Sequence, residues 1–169
     1  YSVDFAWLLD TRHGADYFRR WHRQRCNSGS LLVHKATHHF DMINWWLADR
    51  PKTVFAFGSR RFYAPDTAAA MGLDGRAERC RDCPVRDRCR FYLDLASNEG
   101  LKQLYLDCEQ EDGYCRDRCV FSADIDIWDN MTATVQYRGG ALLSYILHAH
   151  SPYEGYRVAF NGSRGRLEH

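Results

Sequence analysis

A chain of 169 residues, 45% apolar and 14% aromatic, can bury one core and fits a single domain over residues 1–169. Twenty-three basic side chains against twenty-two acidic ones leave a formal charge of +1, which excludes a global field that would recruit nucleic acid or an anionic membrane. No uninterrupted apolar run approaches the roughly 20 residues of a membrane-crossing helix, so no nucleic acid and no membrane is expected as a partner.

Tyr1 opens directly on Val3-Asp4-Phe5-Ala6-Trp7-Leu8-Leu9, which reads as a strand without a signal peptide before it. A start inside an element is what a piece of a longer protein would show. Tyr17, Arg20, Trp21 and His22 follow as a polar-aromatic group, suited to a polyhydroxylated ligand or to one face of an amphipathic helix. Leu31-Leu32-Val33 looks like a strand or a buried turn. Thr37 then N-caps a helix to about Ala48 whose apolar residues Phe40, Ile43 and Leu47 keep helical spacing. Further strands are expected near residues 54–63, 130–137, 141–149 and 156–161, with Arg138-Gly139-Gly140 closing a hairpin and Asn161-Gly162 turning toward Arg166-Leu167-Glu168. Residues from about 64 to 122 read as a cysteine-rich insertion, in which Arg90–Asp107 is helix-like with Leu93, Leu101 and Leu104 on its buried side. The pattern is α+β: a mostly antiparallel, open-faced sheet with helices on one face, its bare face left for self-association.

Seven cysteines are an odd number for a disulfide framework and point to reduced thiols in the cytoplasm. Cys80, Cys83 and Cys89 form C-x2-C-x5-C, a knuckle that lets thiolates face one ion. A fourth ligand has to come from Cys108, Cys115 or Cys119, and Cys119 fits best because Val120-Phe121 leads the chain back to the core. Structural Zn²⁺ is the expected occupant, with an iron–sulfur cluster as the alternative. The surrounding arginines, among them Arg76, Arg79 and Arg86, are expected to lower the thiol pKa values.

His34, Lys35, His38, His39 and Asp41 fall within eight positions, a cluster that is costly to bury without partners. His34 and His38 are expected at a strand-to-helix junction, projecting into a cleft. His39, out of step with them, is expected in the core, satisfied by backbone carbonyls. His148-Ala149-His150 puts two rings on one strand face. A metal-dependent hydrolase or lyase using His34, His38, His148 and His150 therefore stays open, as does a zinc-stabilised binding module presenting the Arg-rich Cys80–Cys89 loop.

The stretch Gly29-Ser30-Leu31-Leu32 to Asp41-Met42-Ile43-Asn44-Trp45-Trp46-Leu47 resembles the segment that opens the main helix of the second domain in the Gfo/Idh/MocA oxidoreductases. There a small-residue turn precedes an Asp-x-Gly-x-His signature, and a second Asp follows the His by three positions. His38 matches the His and Asp41 the later Asp, whereas His34 stands where the signature has Asp and Ala36 where it has Gly. Phe160-Asn161-Gly162-Ser163-Arg164-Gly165-Arg166-Leu167-Glu168 is similar to the family's closing G-x-x-G-x-[IL]-E strands.

The resemblance implies the substrate and oligomerisation domain of an NAD(P)-dependent oxidoreductase acting on a sugar, inositol or related polyol. Neither a glycine-rich dinucleotide fingerprint nor the family's Glu-Lys-Pro occurs here, so NAD(P) would be held by an N-terminal Rossmann domain absent from this chain. His38 would be the acid/base, and His34 and Lys35 would position neighbouring hydroxyls. Tyr17, Arg20, Trp21 and His22 would complete the substrate site. The divergent signature and the cysteines suggest a separate subgroup.

Overall fold

A computed structural model describes all residues, 1–169. Its frame is a six-stranded sheet in the order β2-β3-β4-β1-β5-β6. The strands are β1 (Ser2–Asp10), β2 (Pro51–Ser59), β3 (Asn130–Tyr137), β4 (Leu142–Ser151), β5 (Gly155–Gly162) and β6 (Gly165–Glu168). Only β1 and β4 run parallel, and the remaining neighbours are antiparallel. The first strand therefore sits inside the sheet, between two strands from the far end of the chain.

Alternation along the strands divides the faces. Val3, Phe5, Met131, Ala133, Val135, Tyr137, Leu143, Tyr145, Leu147 and Val158 are buried on one side. There they meet Phe18, Leu31, Ala36 and Ile43 from the helical segment between β1 and β2. That segment comprises α1 (Thr11–Arg19), a 3₁₀ turn at Trp21–Arg23, α2 (Arg25–Ser28), α3 (Leu31–His34) and α4 (Thr37–Leu47). Asp10 ends β1 and caps α1, its carboxylate accepting from the Arg12 and His13 amides at 2.8 Å each. Helix α1 lies hard against β4: a Cβ on Gly14 would stand 1.7 Å from the Ala149 carbonyl oxygen, so only glycine permits the approach.

The opposite face is open. Phe55 and Phe57, paired with Thr134 and Thr132, stand on it 62% and 68% exposed, and Leu142 and Ile146 accompany them.

Residues 60–129 leave the sheet and return to the same core through Tyr63, Leu73, Phe91, Phe121 and Ile127. The fully buried Asp129 fastens both ends of this excursion. Its carboxylate accepts from the amides of Arg61, Phe62 and Tyr63 at 2.7–3.1 Å, and its carbonyl accepts from Ala149. Tyr63 then donates its hydroxyl toward the carbonyls of Ala149 (2.8 Å) and Thr11 (3.0 Å).

Several local expectations change. Leu31-Leu32-Val33 is a helical turn, because Gly29 and Ser30 both adopt positive φ and redirect the chain into it. Thr37 is the first residue of α4 and not its N-cap, its hydroxyl donating back to the Val33 carbonyl. Arg90–Asp107 is mostly turns, with a short helix at Glu99–Leu101 and a π turn at Lys102–Leu106. Leu104 is exposed there. The strand expected at 54–63 runs from Pro51 to Ser59, since the amides of 61–63 are taken by Asp129.

Candidate functional site

At the end of β1, Gly29 (φ 66°) closes α2 and Ser30 (φ 72°, ψ 175°) starts α3. Such a conformation in a serine is stored backbone strain, held because Ser30 is fully buried and its carbonyl accepts from Val33 and His34. The strained turn aims His34 back at the 3₁₀ turn after α1. His22 and His34 meet there through their Nε2 atoms at 2.9 Å.

Tyr17, Trp21 and Arg20 join the pair, with His13 and Asp16 completing a cleft of about 320 Å³. Trp21 stacks on His22 at 3.7 Å between ring centroids, and Tyr17 packs edge-on at 5.2 Å. Of the residues expected at the site, the structure thus joins His34, Tyr17, Arg20, Trp21 and His22. His38 and Lys35 lie just outside the cleft. His38 is exposed on the first turn of α4, near enough to act on the charge of His34 and His39. Lys35 lays its Nζ 5.2 Å over the Trp7 ring.

Sequence reasoning missed His13, Asp16 and the strained Ser30. The Asp10 cap and the i,i+4 pairs His13/Tyr17 and Asp16/Arg20 were the available signal for a helix face.

Desolvation sets the charge state. Burial, then the neighbouring His34, Arg20 and Arg116, lowers His22 to about 4. Burial, then Lys35, Arg20 and His38, lowers His34. The pair is therefore neutral at pH 7 and shares one N–H···N bond. His39 is the core histidine of the cluster, although its partner is the Tyr145 hydroxyl at 2.7 Å and not a backbone carbonyl. It stacks on Trp7 at 4.3 Å, and burial lowers it to about 4.

The four cysteines expected to act together line one small cavity of about 20 Å³, with Arg76, Arg79 and Arg86 at its wall. Cys119 reaches Cys80, Cys83 and Cys89 because two backbone bonds zip the strands of the excursion together, Cys80 N–H to Asp117 O and Cys119 N–H to Glu78 O. Arg79 clamps them by binding both Asp117 and Glu109. Cys108 is exposed, and Cys115 lines a different cleft. All seven thiols are free, and no three His, Cys, Asp or Glu side chains are arranged to hold a metal ion. The arginines do not lower the Cys80 and Cys89 thiols: burial dominates and raises both. His148 and His150 form their own pair, with ring centroids 6.0 Å apart and His150 stacked on Phe62. No ligand set including His34 and His38 forms.

The arrangement can bind a hydroxylated ring on Trp21 and Tyr17 and offer it neutral imidazoles as proton acceptors. The Arg12 and His13 amides at the start of α1 are taken by the Asp10 carboxylate.

The model of the oxidoreductase family's C-terminal alpha/beta domain matches residues 1–169. The chain belongs to this family, the Gfo/Idh/MocA oxidoreductases, as a C-terminal domain. It is 44% identical over 176 residues to "Putative oxidoreductase YteT" of Bacillus subtilis (strain 168), covering 99% of this chain and 41% of that protein. Among solved structures it is similar to an oxidoreductase domain protein from Kribbella flavida, with TM-score 0.55 and 16% identity, over 99% of this chain and 34% of that one. A myo-inositol dehydrogenase from Corynebacterium glutamicum ATCC 13032 gives TM-score 0.53 and 14% identity, over 99% and 32%. At such identities these two share the fold. No helix of the chain is long and apolar enough to cross a membrane.

The buried neutral histidines make stability depend on pH. His22 and His39 stay unprotonated in the fold down to about 4 and take up protons near 6.5 when unfolded. Between those values the unfolded chain binds more protons, so stability is full above about 6.5 and declines as the pH falls toward 4. Thermal denaturation should show Tm falling between pH 7 and 5, and His39→Gln should flatten the slope. An unchanged Tm over that interval would refute the assignment.

Proposed function

We propose that the chain is the substrate-binding and oligomerisation domain of an NAD(P)-dependent oxidoreductase acting on a sugar, inositol or related polyol. The observation that carries the reading is the cleft at the end of β1. It sets His34, hydrogen-bonded to His22, edge-on to the rings of Trp21 and Tyr17, close to the signature residue His38. Aromatic faces suit the C–H side of a sugar ring, and the neutral imidazoles suit its hydroxyls.

His38 acts as the acid/base that takes the proton of the hydroxyl being oxidised, while His34 and Lys35 hold neighbouring hydroxyls. His22 keeps the His34 ring in place through their shared bond. NAD(P), bound mainly by an N-terminal Rossmann domain outside this chain, supplies the hydride acceptor. The match to a myo-inositol dehydrogenase favours a polyol. Seven free thiols suit a reducing, cytoplasmic setting. In the full-length enzyme His38→Ala should lower kcat by about 10²-fold or more with little change in cofactor affinity. Unchanged turnover would make His38 structural.

Two further parts belong to this reading. Phe55, Phe57, Leu142 and Ile146 on the open sheet face would be covered by a second copy of the domain. Cys80, Cys83, Cys89 and Cys119 would close on one structural zinc ion, which requires side-chain rotation within their shared cavity, since the thiols do not yet surround a single point. Residues of about 64–122 would thereby act as a clamped insertion. Native mass spectrometry of the purified protein tests both. It should give an assembly of two or more chains with one zinc per chain. A monomer would refute the first assignment, and metal-free or iron-loaded chains the second.

A further inference from the structure

We propose that the molecule bound in the cleft at the end of β1 carries a negative charge, a carboxylate or phosphate on the sugar or polyol, received by Arg20. The assignment rests on that cleft being the substrate site, and it narrows the substrate from polyols in general to anionic ones.

The cleft holds one carboxylate, Asp16, and two more, Glu154 and Asp10, stand beside it at His13; each already has partners within the protein. Asp16 is bound by Arg116 at 2.9 Å and by Arg19 at 3.4 Å. Glu154 shares a hydrogen bond with the His13 ring at 2.8 Å and accepts from the Asp10 amide, while the Asp10 carboxylate accepts from the Arg12 and His13 amides. Arg20 makes no salt bridge and no side-chain hydrogen bond, and its Nε is shielded from water without a partner. Arg19, Arg23 and Arg116 each also leave one guanidinium N–H without a partner, but each binds a carboxylate or carbonyl through another nitrogen, whereas the half-buried Arg20 guanidinium has no protein partner at all. Five donors in a planar fork match the two oxygens of a carboxylate or phosphate, and charge-assisted bonds of this kind are about twice as strong as bonds to a neutral hydroxyl.

Adjacent surface supports the same sign. Arg20 and Trp21 also line a second cleft of about 340 Å³ with Arg118. Its carboxylate, Asp124, is taken by Arg23 at 2.5 Å, and Arg118 likewise has no side-chain partner. Arg20 and Trp21 line both clefts, so positive charge from Arg20 and Arg118 borders the aromatic residue on which a sugar ring would lie. The neutral histidines do not compete with Arg20 for the anion; they are left for hydroxyls.

The test uses the full-length enzyme with three probes: a hexuronate, a hexose 6-phosphate and the neutral hexose of the same configuration. Binding is read by calorimetry, and turnover by NAD(P)H formation. The charged probes should exceed the neutral one in kcat/KM by about tenfold or more. Arg20→Gln should erase that preference through KM, costing the anion about 10- to 100-fold more than the neutral hexose, with partial recovery in Arg20→Lys. A preference for one charged probe alone identifies carboxylate or phosphate as the group recognised. Preference for the neutral hexose, equal losses for charged and neutral probes in Arg20→Gln, or no binding of either anion overturns the proposal. Oxidation of neutral polyols with equal losses leaves the oxidoreductase reading standing without the anion. Arg20-dependent binding of a hexuronate with no NAD(P)H formed does the reverse.

Discussion

The position of β1 governs the rest of the molecule. Its parallel pairing with β4 and antiparallel pairing with β5 place the first strand in the middle of the sheet, where Val3 and Phe5 are buried. Residues 11–50 then have to leave from an interior strand and reach an edge, β2, without crossing the open face. They do so as a chain of short helices laid over the core. Gly14 lets α1 lie flat on β4, and the positive φ of Gly29 and Ser30 turns the path back on itself. The cleft is what remains between the outgoing and returning halves of that path.

Desolvation then decides the chemistry available at the two ends of this helical layer. In the core, His39 is neutral, held between Trp7 and the Tyr145 hydroxyl, and acts as part of an aromatic wall. At the mouth, His22 is buried and His34 exposed, so their shared bond couples a fixed imidazole to an accessible one. The same residue type stands as core packing at His39 and as an accessible ring at His34, and burial makes the difference.

The strands and α4 were legible from the sequence because their signals are local: alternation in Met131–Tyr137, glycine turns, helical spacing after Thr37. The thiol grouping was partly legible too, since C-x2-C-x5-C is a spacing signal, and Cys119 could be singled out by its place before Val120-Phe121. The helical turn at Leu31–His34 was not, because an apolar triplet has no period and the deciding factor is a strained Ser30 whose conformation its side chain does not favour. Nor was the role of Asp129, which depends on three amides more than sixty residues away in sequence. The His22–His34 bond lay between these cases: both residues stood out, but their contact depends on how α1 ends.

A structure of the full-length enzyme with NAD(P)⁺ and a polyol or sugar acid bound tests the central claim most directly. The claim predicts the ring of the ligand on Trp21 and Tyr17, its hydroxyls on His34 and His38, and its reacting carbon about 3–3.5 Å from the nicotinamide. A ligand on the open face of the sheet, or one that leaves the His22–His34 cleft untouched, would contradict it.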